Sequence, residues 1–316
     1  MESPSKPNVL MVGRYPEWEM PLFERDYVVH KLWLAGNRAR FLSEVGPLIR
    51  AIATNGVLGA GAGLIDACPK LEIIVCFGVG FDAIDLDRAR ARGVRVTNTP
   101  DVLTEDVADM AFALILASFR RIVEGEAFVR SGAWVKGPLP LGKSLNGKTL
   151  GVIGYGRIGR AVARRAPAFG MSVAYCDLVS DPDAPHAYYP DPVSLARASD
   201  ILVAATAGGA ATLNLVNAAV FEALGPEGLF VNVSRGTVVD EGALIAALEE
   251  KRLGAAALDV FWNEPNIDVR LLGFKNVIVQ PHHASGTVEA RKAMGKLVRD
   301  NLAAHFAGRP LPTPVV

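Results

Sequence analysis

Cysteine is scarce in this sequence: only Cys68, Cys76 and Cys176 are present, with no metal-ligand spacing among them. An odd, scattered set excludes a disulfide framework and fits buried thiols in a reducing cytoplasm. His282 and His283 are adjacent rather than one helical turn apart, and no zinc motif is present, so no metal is expected. Net charge is lacking too, because Lys plus Arg and Asp plus Glu number 33 each. With no basic run either, nothing favours nucleic acid or an anionic membrane surface as a partner. The stretch from Met1 to Pro7 is polar and holds no apolar segment of the kind that directs secretion. One uncharged run, Ile201 to Phe221, approaches membrane-spanning length. It is broken by Thr206, Gly208-Gly209, Thr212, Asn214 and Asn217 and reads as a buried strand, a loop and a helix. No repeat or low-complexity segment is visible, so the chain reads as globular and cytoplasmic.

What is present is a βα rhythm. A chain of 316 residues, 50% of them hydrophobic, suits two α/β domains. Strands are expected at Asn8–Val12, Tyr27–His30, Ala51–Thr54, Glu72–Phe77 and Val94–Asn98. A long helix is expected over Thr104–Arg130, then an irregular connector, Ser131–Lys148, carrying Trp134. A second series follows, with strands at Thr149–Ile153, Ser172–Cys176, Ile201–Ala205, Gly228–Val233, Gly254–Leu258 and Asn276–Val279. Helices are expected at Arg157–Phe169, Asn217–Leu224, Glu241–Lys251 and Thr287–Phe306. The pattern predicts two doubly wound parallel-sheet domains.

The second series opens on Gly154-Tyr155-Gly156-Arg157-Ile158-Gly159. Gly154 permits a tight strand-to-helix turn, Gly156 lets backbone approach a pyrophosphate, and Gly159 lets the helix lie close to the strand. The helix N-terminus then offers N–H groups and partial positive charge to phosphates. Asp177 stands 18 residues beyond Gly159, where a carboxylate accepts hydrogen bonds from the adenine ribose hydroxyls and repels a 2′-phosphate. Its rival reading is a strand-end cap. Residues 178–183 include no Arg or Lys, so NAD is favoured, with NADP the alternative. A nucleotide domain starting here needs roughly 130 further residues, ending it near Gly286. The expected division is therefore residues 1–98 with 287–316 as a discontinuous, flavodoxin-like substrate domain, and 99–286 as an inserted Rossmann domain.

Three residues stand beyond successive expected strands: Arg235 in Ser234-Arg235-Gly236, Glu264 in Asn263-Glu264-Pro265, and His282 in Pro281-His282-His283. In a parallel sheet all three loops open on the carboxyl edge, where ligands bind. A guanidinium grips a carboxylate bidentately and polarises a neighbouring carbonyl. A histidine donates a proton to a developing alkoxide near neutral pH, and a carboxylate beside it favours its charged form. Together they suit reduction of a 2-oxo acid. The rival readings are a surface ion pair for Arg235, a turn role for Glu264, and His283 as the acid in place of His282.

With Gly78-Val79-Gly80 added to these motifs, the chain resembles the D-isomer-specific 2-hydroxyacid dehydrogenases along nearly its whole length. The stretches from Ser285 to Glu289 and from Leu311 to Val316 are most similar to the hydroxyphenylpyruvate and glyoxylate/hydroxypyruvate reductases. The resemblance implies a nicotinamide-dependent oxidoreductase acting on small 2-oxo acids, with Arg235, Glu264 and His282 as the catalytic trio. It places the substrate at Asn55, Gly56, the N–H groups of Val79 and Gly80, Arg235 and His282. It places the cofactor at the 154–159 loop and Asp177, and also at Thr104, Thr206, Val233, Ser234, Asp259, His282 and Ser285. Asp259 would meet the nicotinamide amide; its bland rival is a strand-end cap. A homodimer is implied, with Trp134 either packed in its own chain or reaching a neighbouring active site. Two departures stand out. The similar reductases often carry basic residues after the second Rossmann strand and prefer NADPH, where this chain has Asp177; and His283 occupies a place where an apolar residue is expected. Other functions on the same architecture are a nucleotide-sensing corepressor-like binding protein and a formate or phosphite dehydrogenase.

Overall fold

In the computed structural model, which describes residues 6–316, nearly every strand is an apolar run ending in a loop rich in glycine or polar residues. The start of the Met1–Pro7 stretch lies outside the described residues. The chain divides into two units, one running to Leu103 and resuming over Thr287–Val316, the other spanning Thr104–Gly286.

In the first unit β1 (Asn8–Met11), β2 (Val28–Lys31), β3 (Ala51–Asn55), β4 (Ile73–Phe77) and β5 (Arg95–Thr97) form one sheet in the order β2-β1-β3-β4-β5. Every pair is parallel. Parallel strands are covered by helices on both faces and so carry continuous apolar runs. Accordingly Ile52, Ala53, Ile73, Ile74, Val75 and Cys76 are all fully buried. The strand order is that of a flavodoxin-like doubly wound sheet. The helix Val288–Phe306 packs on β4, and Val315 N–H donates to the Val96 carbonyl, which returns the chain end to this unit.

The boundary falls after Leu103 rather than after Asn98. A backbone bond from Thr99 N–H to Gly78 O carries the chain past Asn98 within the first unit, where Asn98 itself is held by Nδ2 donating to Val79 O and by Thr313 Oγ1 donating to its carbonyl. These bonds hold residues 98 and 99 within the first sheet.

The second unit holds β6 (Thr149–Ile153), β7 (Ser172–Cys176), β8 (Ala187–Tyr189), β9 (Ile201–Ala204), β10 (Leu229–Asn232), β11 (Ala255–Leu258) and β12 (Val277–Val279). Their order is β12-β11-β10-β9-β6-β7-β8, parallel throughout. This is a Rossmann sheet, whose order reverses between β6 and β9. The run Ile201–Phe221 resolves into β9, a single 3₁₀ turn and the helix Ala218–Leu224. No helix among the described residues is long and apolar enough to cross a membrane.

The helix expected over Thr104–Arg130 is two helices, Thr104–Phe119 and Ile122–Arg130. Arg121 takes a left-handed conformation at φ 54° between them. The connector causes the break: Lys143 N–H donates to the Phe119 carbonyl at 2.7 Å, taking an acceptor that a continuing helix needs. Gly142 lies so close that a Cβ there would sit 2.4 Å from the same oxygen. In this unit β8 and the helices Val269–Gly273 and Pro192–Arg197 have no counterpart in the sequence reading. The latter helix carried a legible start signal, since Asp191 caps it by accepting from Ser194 N–H ahead of Pro192 at its first turn. The three cysteines are buried free thiols, and burial pushes Cys68 and Cys176 up to about 11.

Gly159 is the tightest point of the nucleotide loop, because a Cβ there would lie 1.9 Å from the Gly154 carbonyl oxygen. Gly159→Ala is expected to cost about 1–3 kcal/mol, as overpacking against backbone does. Urea denaturation checks it, and an unchanged midpoint would contradict the close helix–strand approach.

Candidate active site

Three consecutive strands carry the expected trio. Arg235 follows β10, Glu264 follows β11 and His282 follows β12, and parallel pairing brings their loops to one edge of the second unit. His282 Nδ1 lies 2.7 Å from Glu264 Oε2. The other Glu264 oxygen accepts from Phe261 N–H at 2.9 Å, so the carboxylate cannot rotate away from the ring. Burial alone would raise the Glu264 pKa. The His282 hydrogen bond and charge, the Phe261 N–H and the Arg235 charge outweigh it and hold the carboxyl below its ordinary range. These neighbours therefore favour the carboxylate form of Glu264. A carboxylate–imidazolium hydrogen bond of this kind is worth about 1.5–3 kcal/mol.

Arg235 is set by its strand end. Asn232 Oδ1 accepts from Ser234 N–H and Ser234 Oγ, while Asn232 Nδ2 donates to the Arg235 carbonyl. Arg235 Nη1 donates to Ser234 O at 2.8 Å. Gly236 lets this loop close on the next: a Cβ there would fall 2.0 Å from the Phe261 carbonyl carbon and 2.4 Å from Trp262 N. Asn232 and Gly236 were not singled out from sequence. The signal for Gly236 was its place directly after Arg235, where a close approach excludes any side chain.

His282 has a left-handed backbone, φ 52°, unusual for a residue with a side chain. Asp259 imposes it. Its carbonyl accepts from His282 N–H, and its carboxylate oxygens accept from His283 N–H at 2.7 Å and Ala284 N–H at 2.9 Å. Asp259 is 1% exposed, and burial raises its pKa against the pull of those two N–H groups. The structure thus gives Asp259 a positioning role on the histidine loop. His283 points elsewhere, its ring packed over Gly286. A cavity of about 270 Å³ lies beside the pair, lined by Phe261, Glu264, Pro265, Ile267, Val279 and His282 among others.

Further along the same sheet edge, after β6, stands the glycine loop. Gly154 has φ +90° and Gly156 begins the helix Arg157–Arg165, which no side chain caps. A Cβ on Gly154 would lie 2.7 Å from Thr206 Cα, whereas one on Gly156 would meet nothing within 4 Å. The loop is thus closed against the sheet and open above Gly156, which fits a pyrophosphate over the helix N-terminus. Tyr155 is buried, Arg157 exposed and Ile158 half-buried. Asp177 ends β7, with Oδ2 accepting from Tyr155 N–H at 2.6 Å and Oδ1 from Leu178 N–H at 2.7 Å. Val233 and Ser234 are buried beneath the Arg235 loop, while Thr104, Thr206 and Ser285 are half-buried. Among the described residues no cluster of three metal-ligating side chains occurs.

The remaining candidates lie in the first unit. Asn55 Oδ1 accepts from Val57 N–H and Leu58 N–H, shaping the turn that contains Gly56. In the 78–80 loop the carbonyls face inward: Gly78 O takes Thr99 N–H, Val79 O takes Asn98 Nδ2, and Gly80 O takes the Cys76 thiol. Residues 78–80 are half-buried, and their carbonyls are taken by protein donors.

Comparison with known proteins agrees with this geometry. The model of the D-isomer specific 2-hydroxyacid dehydrogenase NAD binding domain matches residues 112–284. The chain is 48% identical to a hydroxyphenylpyruvate reductase from Plectranthus scutellarioides, over 96% of each chain. A solved 2-hydroxyacid dehydrogenase from Ketogulonicigenium vulgare Y25 is similar at 52% identity and TM-score 0.92, covering 99% of both chains. An NADPH-dependent glyoxylate/hydroxypyruvate reductase from Sinorhizobium meliloti, solved with NADP and malonate, is similar at 42% identity and TM-score 0.91. It spans 99% of this chain and 97% of its own. The chain belongs to the D-isomer specific 2-hydroxyacid dehydrogenase family.

Proposed function

We propose that this protein reduces small 2-oxo acids, glyoxylate, hydroxypyruvate or arylpyruvates, to D-2-hydroxy acids, using NADH in preference to NADPH. The observation that carries the reading is the 2.7 Å contact between His282 Nδ1 and Glu264, which aims the other ring nitrogen away from the carboxylate. The relatives named for hydroxyphenylpyruvate, glyoxylate and hydroxypyruvate reduction support this chemistry over a corepressor-like or formate-oxidising role.

A reduced nicotinamide, when bound, supplies the hydride to C2 of the oxo acid. The chain's residues do the rest. Arg235 grips the substrate carboxylate and polarises the C2 carbonyl. His282, charged and held by Glu264, gives its proton to the carbonyl oxygen as the C2–H bond forms, so the carbonyl becomes a hydroxyl. Glu264 keeps its charge and orients the ring.

The Asp177 carboxylate at the ribose end supports NADH, since a 2′-phosphate placed there meets a like charge. The exposed apolar side chains of the connector support a homodimer. Trp134 is 66% exposed, Val135 91% and Leu141 94%, which argues against Trp134 packing in its own chain. Ile122, Val123 and Val129 extend the same character along the preceding helix.

Five outcomes test this reading. His282→Gln is expected to lower reductive kcat by about a hundredfold or more, the scale of general acid catalysis, with His283→Gln far milder. The reverse ranking would move the acid to His283. Glu264→Gln is expected to lower reductive kcat by about tenfold or more, because a neutral amide holds and supports the ring less well than a carboxylate, and an unchanged kcat would refute its role. Arg235→Ala is expected to cost at least about a hundredfold in kcat/KM on glyoxylate, hydroxypyruvate and phenylpyruvate while cofactor binding persists, and Arg235→Lys is expected to rescue little. The wild type is expected to favour NADH over NADPH by at least about tenfold in kcat/KM. Faster turnover with NADPH would defeat the Asp177 argument. Sedimentation is expected to give a dimer at micromolar concentration, a monomer being the contrary result.

A further inference from the structure

Along the chain no basic residue follows Asp177 within residues 178–183. In space there is one. Arg160, on the helix that follows the glycine loop, donates from Nε to the Tyr155 carbonyl at 3.0 Å, and its guanidinium lies 5.0 Å from the centre of the Tyr155 ring. The N–H of the same Tyr155 goes to Asp177. The two charged side chains therefore flank a single residue, the middle one of Gly154-Tyr155-Gly156.

The third side of the guanidinium is closed by Asp181, whose Oδ2 lies 2.5 Å from Arg160 Nη1. Asp181 is itself firmly placed. Its side chain is only 15% exposed, against 50% for Arg160. Its N–H donates to Tyr175 Oη at 2.8 Å, and its Oδ1 accepts from Asp183 N–H at 3.1 Å. Tyr175 in turn stacks on Tyr155 with ring centres 4.2 Å apart. Ring, carbonyl and carboxylate thus hold Arg160 at one orientation, beside the ribose-binding end and electrically neutralised.

We propose that cofactor choice is set by two carboxylates rather than one. Asp177 repels a 2′-phosphate directly. Asp181 sequesters Arg160, the guanidinium positioned to bind that phosphate, and so withholds the compensating charge. The chain on this view is an NADP-type site held in the NAD state by one ion pair. Arg160 and Asp181 are specificity-determining residues acting on the 2′ substituent, with no part in hydride or proton transfer. The inference rests on the reading of Asp177 as the adenine ribose ligand.

Equilibrium titration of NADH and NADPH, read by nicotinamide fluorescence without any substrate, tests it. Asp181→Asn keeps the acceptor for Asp183 N–H and removes the charge; it is expected to tighten NADPH by about tenfold while NADH changes little. Asp181→Ser is the second variant, guarding against a local fault of the amide. Adding Arg160→Gln to either is expected to erase the gain, whereas Arg160→Gln alone moves NADPH far less, the non-additivity being the signature of the pair. An unchanged NADPH affinity in both Asp181 variants, or a gain that survives loss of Arg160, would overturn the proposal. Asp177→Ala serves as the separate control: if it leaves NADH and NADPH binding unaltered, the underlying ribose assignment has failed, whatever the Asp181 variants do.

Discussion

A buried carboxylate, Asp259, ties together the three strand ends on which the Arg235, Glu264 and His282 loops hang. Its N–H donates to the Asn232 carbonyl at the end of β10, and its own carbonyl receives His282 N–H beyond β12. Its side chain then takes the next two N–H groups of the histidine loop. A charge placed in a protein interior is costly unless it is paired or well hydrogen-bonded. The histidine loop supplies those bonds and in exchange is fixed at a backbone conformation that few non-glycine residues adopt. Asn232 continues the chain of contacts outward, since its side chain fixes Ser234 and the Arg235 carbonyl.

From this follows a division between carboxylates. Burial dominates at Asp259 and raises its pKa, whereas at Glu264 the neighbouring imidazole, amide and guanidinium prevail and lower it. One acidic residue thus holds backbone, and the other holds the imidazole ring in place. Environments that push paired acids apart in this way assign their roles. Gly236 and Gly154 complete the arrangement by removing side chains where loop meets loop and where loop meets strand.

Much of this was legible in the sequence. The βα rhythm, the glycine loop and the strand positions followed from apolar runs and turn residues, because a doubly covered parallel sheet imposes those runs directly. That Arg235, Glu264 and His282 share one sheet edge was legible because each follows a strand of one parallel sheet. What escaped reading was whatever depends on contacts remote in the chain. The break at Arg121 is made by Lys143 and Gly142, which no local propensity near Phe119 reveals. The short strand β8 has three residues and leans on β7. Asp259 looked like a cofactor ligand by resemblance, and its grip on residues 282–284 shows only in space. Arg160 was passed over because helix and strand end meet through Tyr155 rather than in sequence.

The central claim is that the loops after β10, β11 and β12 form one reductive site that delivers hydride to C2 of an oxo acid and a proton to its oxygen. The most direct measurement uses hydroxypyruvate and a reduced dinucleotide carrying deuterium at the transferable position of nicotinamide C4, with the product analysed for label and configuration. The account predicts D-glycerate bearing one deuterium at C2 and none on the hydroxymethyl carbon. Product of the L configuration, or product without deuterium at C2, would contradict it.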